Sequence, residues 1–246
     1  MPGTDLHPAE RSGLALNDIR AILLDIEGTT TPIEFVHQVL FPYARARIHD
    51  YLQQHADDPA VRADVALLRD EYAAETQFPD LPPWNPEAYV YWLMDRDRKS
   101  TGLKALQGRI WEEGYRAGVL KGKVYPDVRP ALERWHRAGK TIAIFSSGSV
   151  QAQRNLFANT TAGDLSSFLS GYFDTTTGPK REARSYRQIA AVLRQESRDM
   201  LFISDVTAEL DAAREAGMRT ALCVRDLASA APAINHPRIR SFAELA

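Results

Sequence analysis

The chain has 246 residues, of which 44% are apolar and 25% charged, with a formal net charge of -2. That is long enough for one large core or a core with an insertion. It carries no basic footprint for nucleic acid and no acidic tail. No stretch approaches the roughly 20 apolar residues of a membrane span. The polar opening MPGTDLHPAERSG lacks the apolar core of a signal peptide. The single cysteine, Cys223, lies in an apolar run and reads as a buried structural thiol. One cysteine allows no internal disulfide, which fits a reducing compartment, and a cytoplasmic protein is expected.

Residues 1–18 read as a loose tail, polar and broken by Pro and Gly. Arg20 to Asp25 is a short apolar run without alternation, the pattern of a strand buried on both faces. Residues 33–120 change character and read as helical throughout. Phe35, Val39, Leu40, Ala44, Ile48 and Leu52 mark a first helix. Pro59 opens a second, broken at 78–83 by prolines, and two more follow near 86–98 and 103–117. After Pro126 strands return: Thr141–Phe145, Met200–Ser204 and Arg219–Val224. Helices follow at about 128–138, from Val150, at 184–194 and from Thr207, with Gly139 and Gly217 placed as C-terminal stops. The alternation predicts an α/β fold: a Rossmann-like parallel sheet with helices on both faces (19–32 and 121–246), plus an inserted all-helical cap (33–120).

Polar clusters stand just past the strand ends, where open α/β sheets bind ligands. They are Asp25 and Glu27, then Ser146 and Ser147, then Asp205, with Lys180 in a later loop. Carboxylate oxygens suit Mg²⁺. The run Ser146-Ser147-Gly148-Ser149 before a helix suits a phosphate, and Lys180 can balance phosphate or carboxylate. An aspartate beside a metal and a phosphate cradle can attack phosphorus covalently. Glu27 stands near enough to act as acid and then base. Each residue alone has a plainer reading: Asp25 or Asp205 as a helix cap, the serines as a loop, Lys180 as a solvated cation. The six scattered histidines include no zinc spacing and read as surface or packing residues. A serine hydrolase is disfavoured by the absence of Gly-x-Ser-x-Gly. A non-catalytic phosphate-binding module would not need nucleophile, lysine and distal carboxylate together.

The segments DIEGTTTPIEFVHQVLFPYAR (25–45), DRKSTGLKALQGRIWEEGY (97–115), FSSGSVQAQ (145–153) and SDVTAELDAA (204–213) resemble the haloacid dehalogenase superfamily of aspartate-nucleophile phosphatases. More narrowly they resemble its acireductone synthases, the enolase-phosphatases of methionine salvage, because Glu27 stands where most of the superfamily has Asp. The resemblance spans about residues 20–245. It implies Asp25 as nucleophile and metal ligand, and Glu27 as a second metal residue through its carbonyl or side chain. It implies Ser146 and Ser147 on the substrate phosphate, Lys180 as the orienting lysine, and Asp205 as the distal ligand of one Mg²⁺ per subunit. The implied reaction enolises 5-(methylthio)-2,3-dioxopentyl phosphate and then hydrolyses the enol phosphate to acireductone and phosphate. The enolising base stays open. Glu27 is a candidate, with Mg²⁺ or Lys180 to stabilise the enolate. Lys99 and Lys104 are candidate substrate contacts or solvated lysines. Trp84, Trp92 and Trp111 are candidate pocket walls or core residues. The alternative is a phosphatase of the same superfamily with another small phosphomonoester. A monomer is expected, acting on a small phosphorylated substrate with neither nucleic acid nor membrane as partner.

Overall fold

A computed structural model describes residues 16–226 and 235–245. The tail expected over 1–18 therefore lies outside the described residues as far as residue 15. Leu16 is already buried, and Lys140 Nζ donates to the carbonyls of Leu16 and Ile19 at 2.7 Å each. Packing thus begins two residues before the expected end of the tail.

Six parallel strands form one sheet in the order β3-β2-β1-β4-β5-β6: β1 (Ala21–Leu24), β2 (Thr141–Phe145), β3 (Gly171–Phe173), β4 (Met200–Ser204), β5 (Arg219–Cys223) and β6 (Arg238–Ile239). β1 is apolar at every position and β2 and β4 at all but one, because both faces are covered. Alternation along the strands divides the core in two. Ile22, Leu24, Ile142, Ile144, Leu201 and Ile203 face one side, with α7 (Val128–Arg137) and α8 (Val150–Ala158). Ala21, Leu23, Ala143, Phe145, Met200 and Phe202 face the other, with α9 (Ala183–Leu193) and α10 (Thr207–Glu215). Gly139 (φ 73°) and Gly217 (φ 90°) take the left-handed conformation just past α7 and α10, as the sequence predicts. β3 and β6 were not expected. They are three and two residues long, and neither presents an apolar run.

Between β1 and α7 the chain is helical, with no strand among the described residues. The elements are α1 (Ile33–Phe35), a π-helical turn (Val36–Leu40), α2 (Phe41–Arg45), α3 (Ile48–Gln54), α4 (Pro59–Ala74), α5 (Pro86–Asp95) and α6 (Thr101–Arg116). Side-chain caps start the last three: Asp58 accepts from Ala60 N–H, Asn85 from Ala88 N–H and Ser100 from Leu103 N–H. The single first helix expected from Phe35 to Leu52 is instead segmented. The π turn shifts the buried face, so Val36, Leu40, Ala44 and Ile48 point inward while Val39 faces solvent. Trp84 and Trp92 belong to the insert's aromatic core. Trp92 stacks on Tyr89 at 5.8 Å, and Trp84 meets Tyr72 edge-on at 5.1 Å. Trp111 lies on Phe41 and donates Nε1–H to Leu40 O. No helix among the described residues is long and apolar enough to cross a membrane.

Candidate active site

The strand order reverses direction at β1, whose neighbours are β2 and β4. That switch point is where a crevice opens at the carboxyl edge of such sheets. Asp25 follows β1, Ser146 follows β2, Asp174 follows β3 and Asp205 follows β4.

The chain leaves β1 through a tight turn. Ile26 O accepts from the amides of Thr29, Thr30 and Thr31, Gly28 N–H donates to Thr31 O, and Thr30 Oγ1–H donates to Asp25 O at 3.0 Å. Gly28 has φ 67°, and a side chain there would run into the Asp205 carboxylate. The glycine therefore serves both the turn and the approach of the β4 end.

Asp25 is buried and its carboxylate is fully engaged. Oδ1 accepts from Ile26 N–H at 2.8 Å and from Lys180 Nζ at 2.7 Å, and Oδ2 accepts from Ser204 Oγ–H at 3.0 Å. Lys180 Nζ also donates to Glu209 Oε2 at 2.6 Å, and Ser204 Oγ lies 3.2 Å from the same oxygen. The plainer readings fail here. Lys180 is not solvated, and Asp205 makes no capping bond at α10, whose N-cap position is Val206. The Lys180 loop is fixed from α9, where Ser185 Oγ–H donates to Pro179 O and Tyr186 O–H to Lys180 O.

Glu209 and Ser204 were not assigned from the sequence. Glu209 lies within the recognisable 204–213 segment, and its i, i+4 spacing from Asp205 along the start of α10 is the signal that could have found it. Asp174 was missed with its strand. It sits at the end of β3, with Oδ2 accepting from Val150 N–H and Oδ1 from the amide and hydroxyl of Thr176. Asp174 and the Ser149 hydroxyl occupy two amides at the start of α8. The expected phosphate cradle, 146–149, lies in the loop between β2 and α8. Ser146 is buried, its Oγ accepting from Gly148 N–H, and Ser147 is exposed. No hydrogen bond joins either serine to Asp25 among the described residues.

Asp25 and Glu209 thus meet one ammonium, and Glu27 and Asp205 stand near enough to feel its charge and that of Asp25. Burial, then the Asp25 charge, raises the pKa of Glu27 and pushes that of Asp205 up to about 6. Burial and Asp25 also raise Glu209 against the pull of Lys180. Burial opposes the Lys180 ammonium, yet Asp25 and Glu209 hold its pKa above the usual lysine range. Excess negative charge on hard oxygen donors suits a divalent cation. Among the described residues no three His, Cys, Asp or Glu side chains gather into a cage.

The family model for haloacid dehalogenase-like hydrolases matches residues 19–217. Enolase-phosphatase E1 of Synechococcus elongatus is 55% identical over 233 residues, covering 92% of this chain and 98% of that one. Enolase-phosphatase E1 of Gluconacetobacter diazotrophicus is 52% identical, covering 89% of each. The crystal structure of the UTR4 protein of Saccharomyces cerevisiae superposes with a TM-score of 0.74 at 33% identity, covering 92% of this chain and all of that one. The chain is a hydrolase of the haloacid dehalogenase-like family and belongs, within it, to the enolase-phosphatase E1 proteins.

Proposed function

We propose that the chain is a Mg²⁺-dependent enolase-phosphatase that converts 5-(methylthio)-2,3-dioxopentyl phosphate to acireductone and phosphate in L-methionine salvage, through an aspartyl-phosphate on Asp25. The observation that carries this reading is the buried Asp25–Lys180–Glu209 cluster at the sheet's switch point. Lys180 and Ser204 hold the Asp25 carboxylate in one orientation, with its charge kept for attack on phosphorus. Ser146 and Ser147 would receive the phosphate beside it, with Lys180 balancing the charge that develops there. Asp25, Asp205 and Glu27, the last by carbonyl or side chain, would hold Mg²⁺. When bound, the ion screens the repulsion between carboxylate and phosphate. Glu27, whose carboxyl burial and the Asp25 charge raise above the usual carboxylate range, would protonate the leaving oxygen and then deprotonate water. The same carboxylate is the candidate base for enolisation.

Residues 33–120 would serve as the cap over this site, with 19–32 and 121–246 as the core. The chain would work as a cytoplasmic monomer on a small phosphorylated substrate.

Asp25→Asn is expected to abolish phosphate release while circular dichroism and the melting temperature stay near wild type. Retained release would overturn the mechanism. A panel of phosphomonoesters tests the substrate: turnover of sugar phosphates equal to that of the diketone phosphate would favour another phosphatase of the same superfamily.

A further inference from the structure

The enolisation half of the reaction places negative charge on a carbonyl oxygen, which a hydrogen-bond donor or a cation stabilises. Lys180 donates to two carboxylates already. A second ammonium approaches the crevice from the helical insert. Lys104, on the first turn of α6, donates Nζ–H to Ser147 O at 2.5 Å, across from the insert to the phosphate loop of the core. The contact is not that of a solvated surface lysine. Lys104 is half-buried, and burial lowers its pKa against the pull of the Asp174 carboxylate. Gly108, one turn further along α6, faces Ser149 Oγ of the same loop, so this face of the helix lies along the phosphate loop. Ser147 O is the hydrogen-bond partner of Nζ among the described residues, which leaves ammonium hydrogens for a ligand.

The chemistry sets where the second cation must stand. In a 2,3-diketone 1-phosphate the C2 oxygen is carried by the carbon next to the phosphoester carbon. Seating the phosphate on Ser146 and Ser147 therefore brings that oxygen to the edge of the loop that Lys104 touches. We propose that Lys104 is a catalytic residue of the enolisation step, donating from Nζ to the C2 oxygen of the bound diketone phosphate. The inference rests on the substrate assigned above. A carboxylate base takes the C1 proton. The C1–H pair becomes the C1=C2 π bond, and the C2 carbonyl π pair moves onto oxygen. Lys104 holds that oxyanion and supplies the proton that makes it the enol. Hydrolysis at phosphorus needs no such group, so Lys104 separates the two halves of the reaction.

The test uses the full chain with Mg²⁺ and compares wild type, Lys104→Met and Lys104→Gln on two substrates. One is the diketone phosphate, with hydrogen or deuterium at C1. The other is phenyl phosphate, which has nothing to enolise. Both variants are expected to lose about 10²–10³-fold in phosphate release from the diketone, the usual cost of one oxyanion donor. The C1 isotope effect should rise as enolisation becomes limiting. Phenyl phosphate hydrolysis should fall by less than about tenfold, the size of one hydrogen bond lost from the Ser147 loop. An equal fall on both substrates, or an unchanged isotope effect, would overturn the proposal and leave Lys104 as a loop support. Wild type that hydrolyses phenyl phosphate but not the diketone would instead overturn the substrate assignment, and this inference with it.

Discussion

Arg225 offers a measurement of how the turn after Asp25 is held. Its Nε and Nη2 donate to Thr29 O at 3.0 and 2.7 Å, and Nη1 donates to Asp127 Oδ2 at 2.7 Å and to Arg240 O at 3.2 Å. The guanidinium packs between Tyr125 and Phe242, 4.3 and 4.6 Å from their ring centres. Asp127 also accepts from Ser241 Oγ–H and Phe242 N–H. Only 9% of the arginine side chain and 16% of the aspartate side chain are exposed, so water cannot replace a lost partner freely. Arg225→Met keeps most of the apolar stem and leaves the Asp127 carboxylate without its cation. Breaking a buried pair this way costs about 3–5 kcal/mol. For a chain of this size each kcal/mol lowers the melting point by roughly 2–4 °C, so a fall of about 6–20 °C is expected in a circular-dichroism melt at fixed Mg²⁺. The double variant with Asp127→Asn should melt near the worse single variant, because both remove one shared interaction. A fall under about 2 °C, or simple addition of the two losses, would refute the assignment of Arg225 as the clamp on this turn.

Gly28→Ala forces an alanine into a left-handed conformation and against the Asp205 carboxylate. The Mg²⁺ concentration for half-maximal activity should rise about 10–100-fold, the usual effect of displacing support around a metal site. An unchanged midpoint would count against Asp205 as a ligand. Metal removal has a pH signature of its own. Without the ion, Asp205 and Glu27 have folded pKa values above their unfolded ones. The unfolded chain therefore releases these protons first. Stability is full below the unfolded value of about 4 and is lost as pH rises through the Asp205 value of about 6. Added Mg²⁺ should raise the melting temperature more at pH 7 than at pH 4.5, and equal shifts at both would contradict the charge balance described here.

The sheet was legible wherever a strand is buried on both faces. The runs at 21–24, 141–145, 200–204 and 219–223 are mostly apolar because a polar side chain between two covered faces needs a specific partner, as Ser204 has in Asp25. Edge strands β3 and β6 carry no such constraint and left no pattern. The helix starts at Pro59 and Pro86 were legible from the prolines and apolar spacing, while the start at Thr101, capped by Ser100, was read two residues late. The π turn was not, since it shifts the buried face without changing composition. Within the site, the residues just beyond central strands could be read from position alone. Glu209, Ser204, Asp174 and Arg225 depend on partners remote in sequence, and only the fold brings them to Lys180, Asp25, Val150 and Thr29.

The placement of β1 at the centre of the sheet also bears on how the chain is made. Ala21 to Leu24, wholly apolar, emerge from the ribosome well before the strands that flank them. They cannot pair on one side until synthesis passes Thr141, or on the other until it passes Met200. Pairings so distant in sequence are slow to close and leave an unpaired apolar strand open to other chains meanwhile. The helices of the insert, rich in local contacts, are made during that interval. The strand that leads into Asp25 is thus made before both of its partners and secured only after them, and the nascent chain is most exposed to misassembly before β4 arrives.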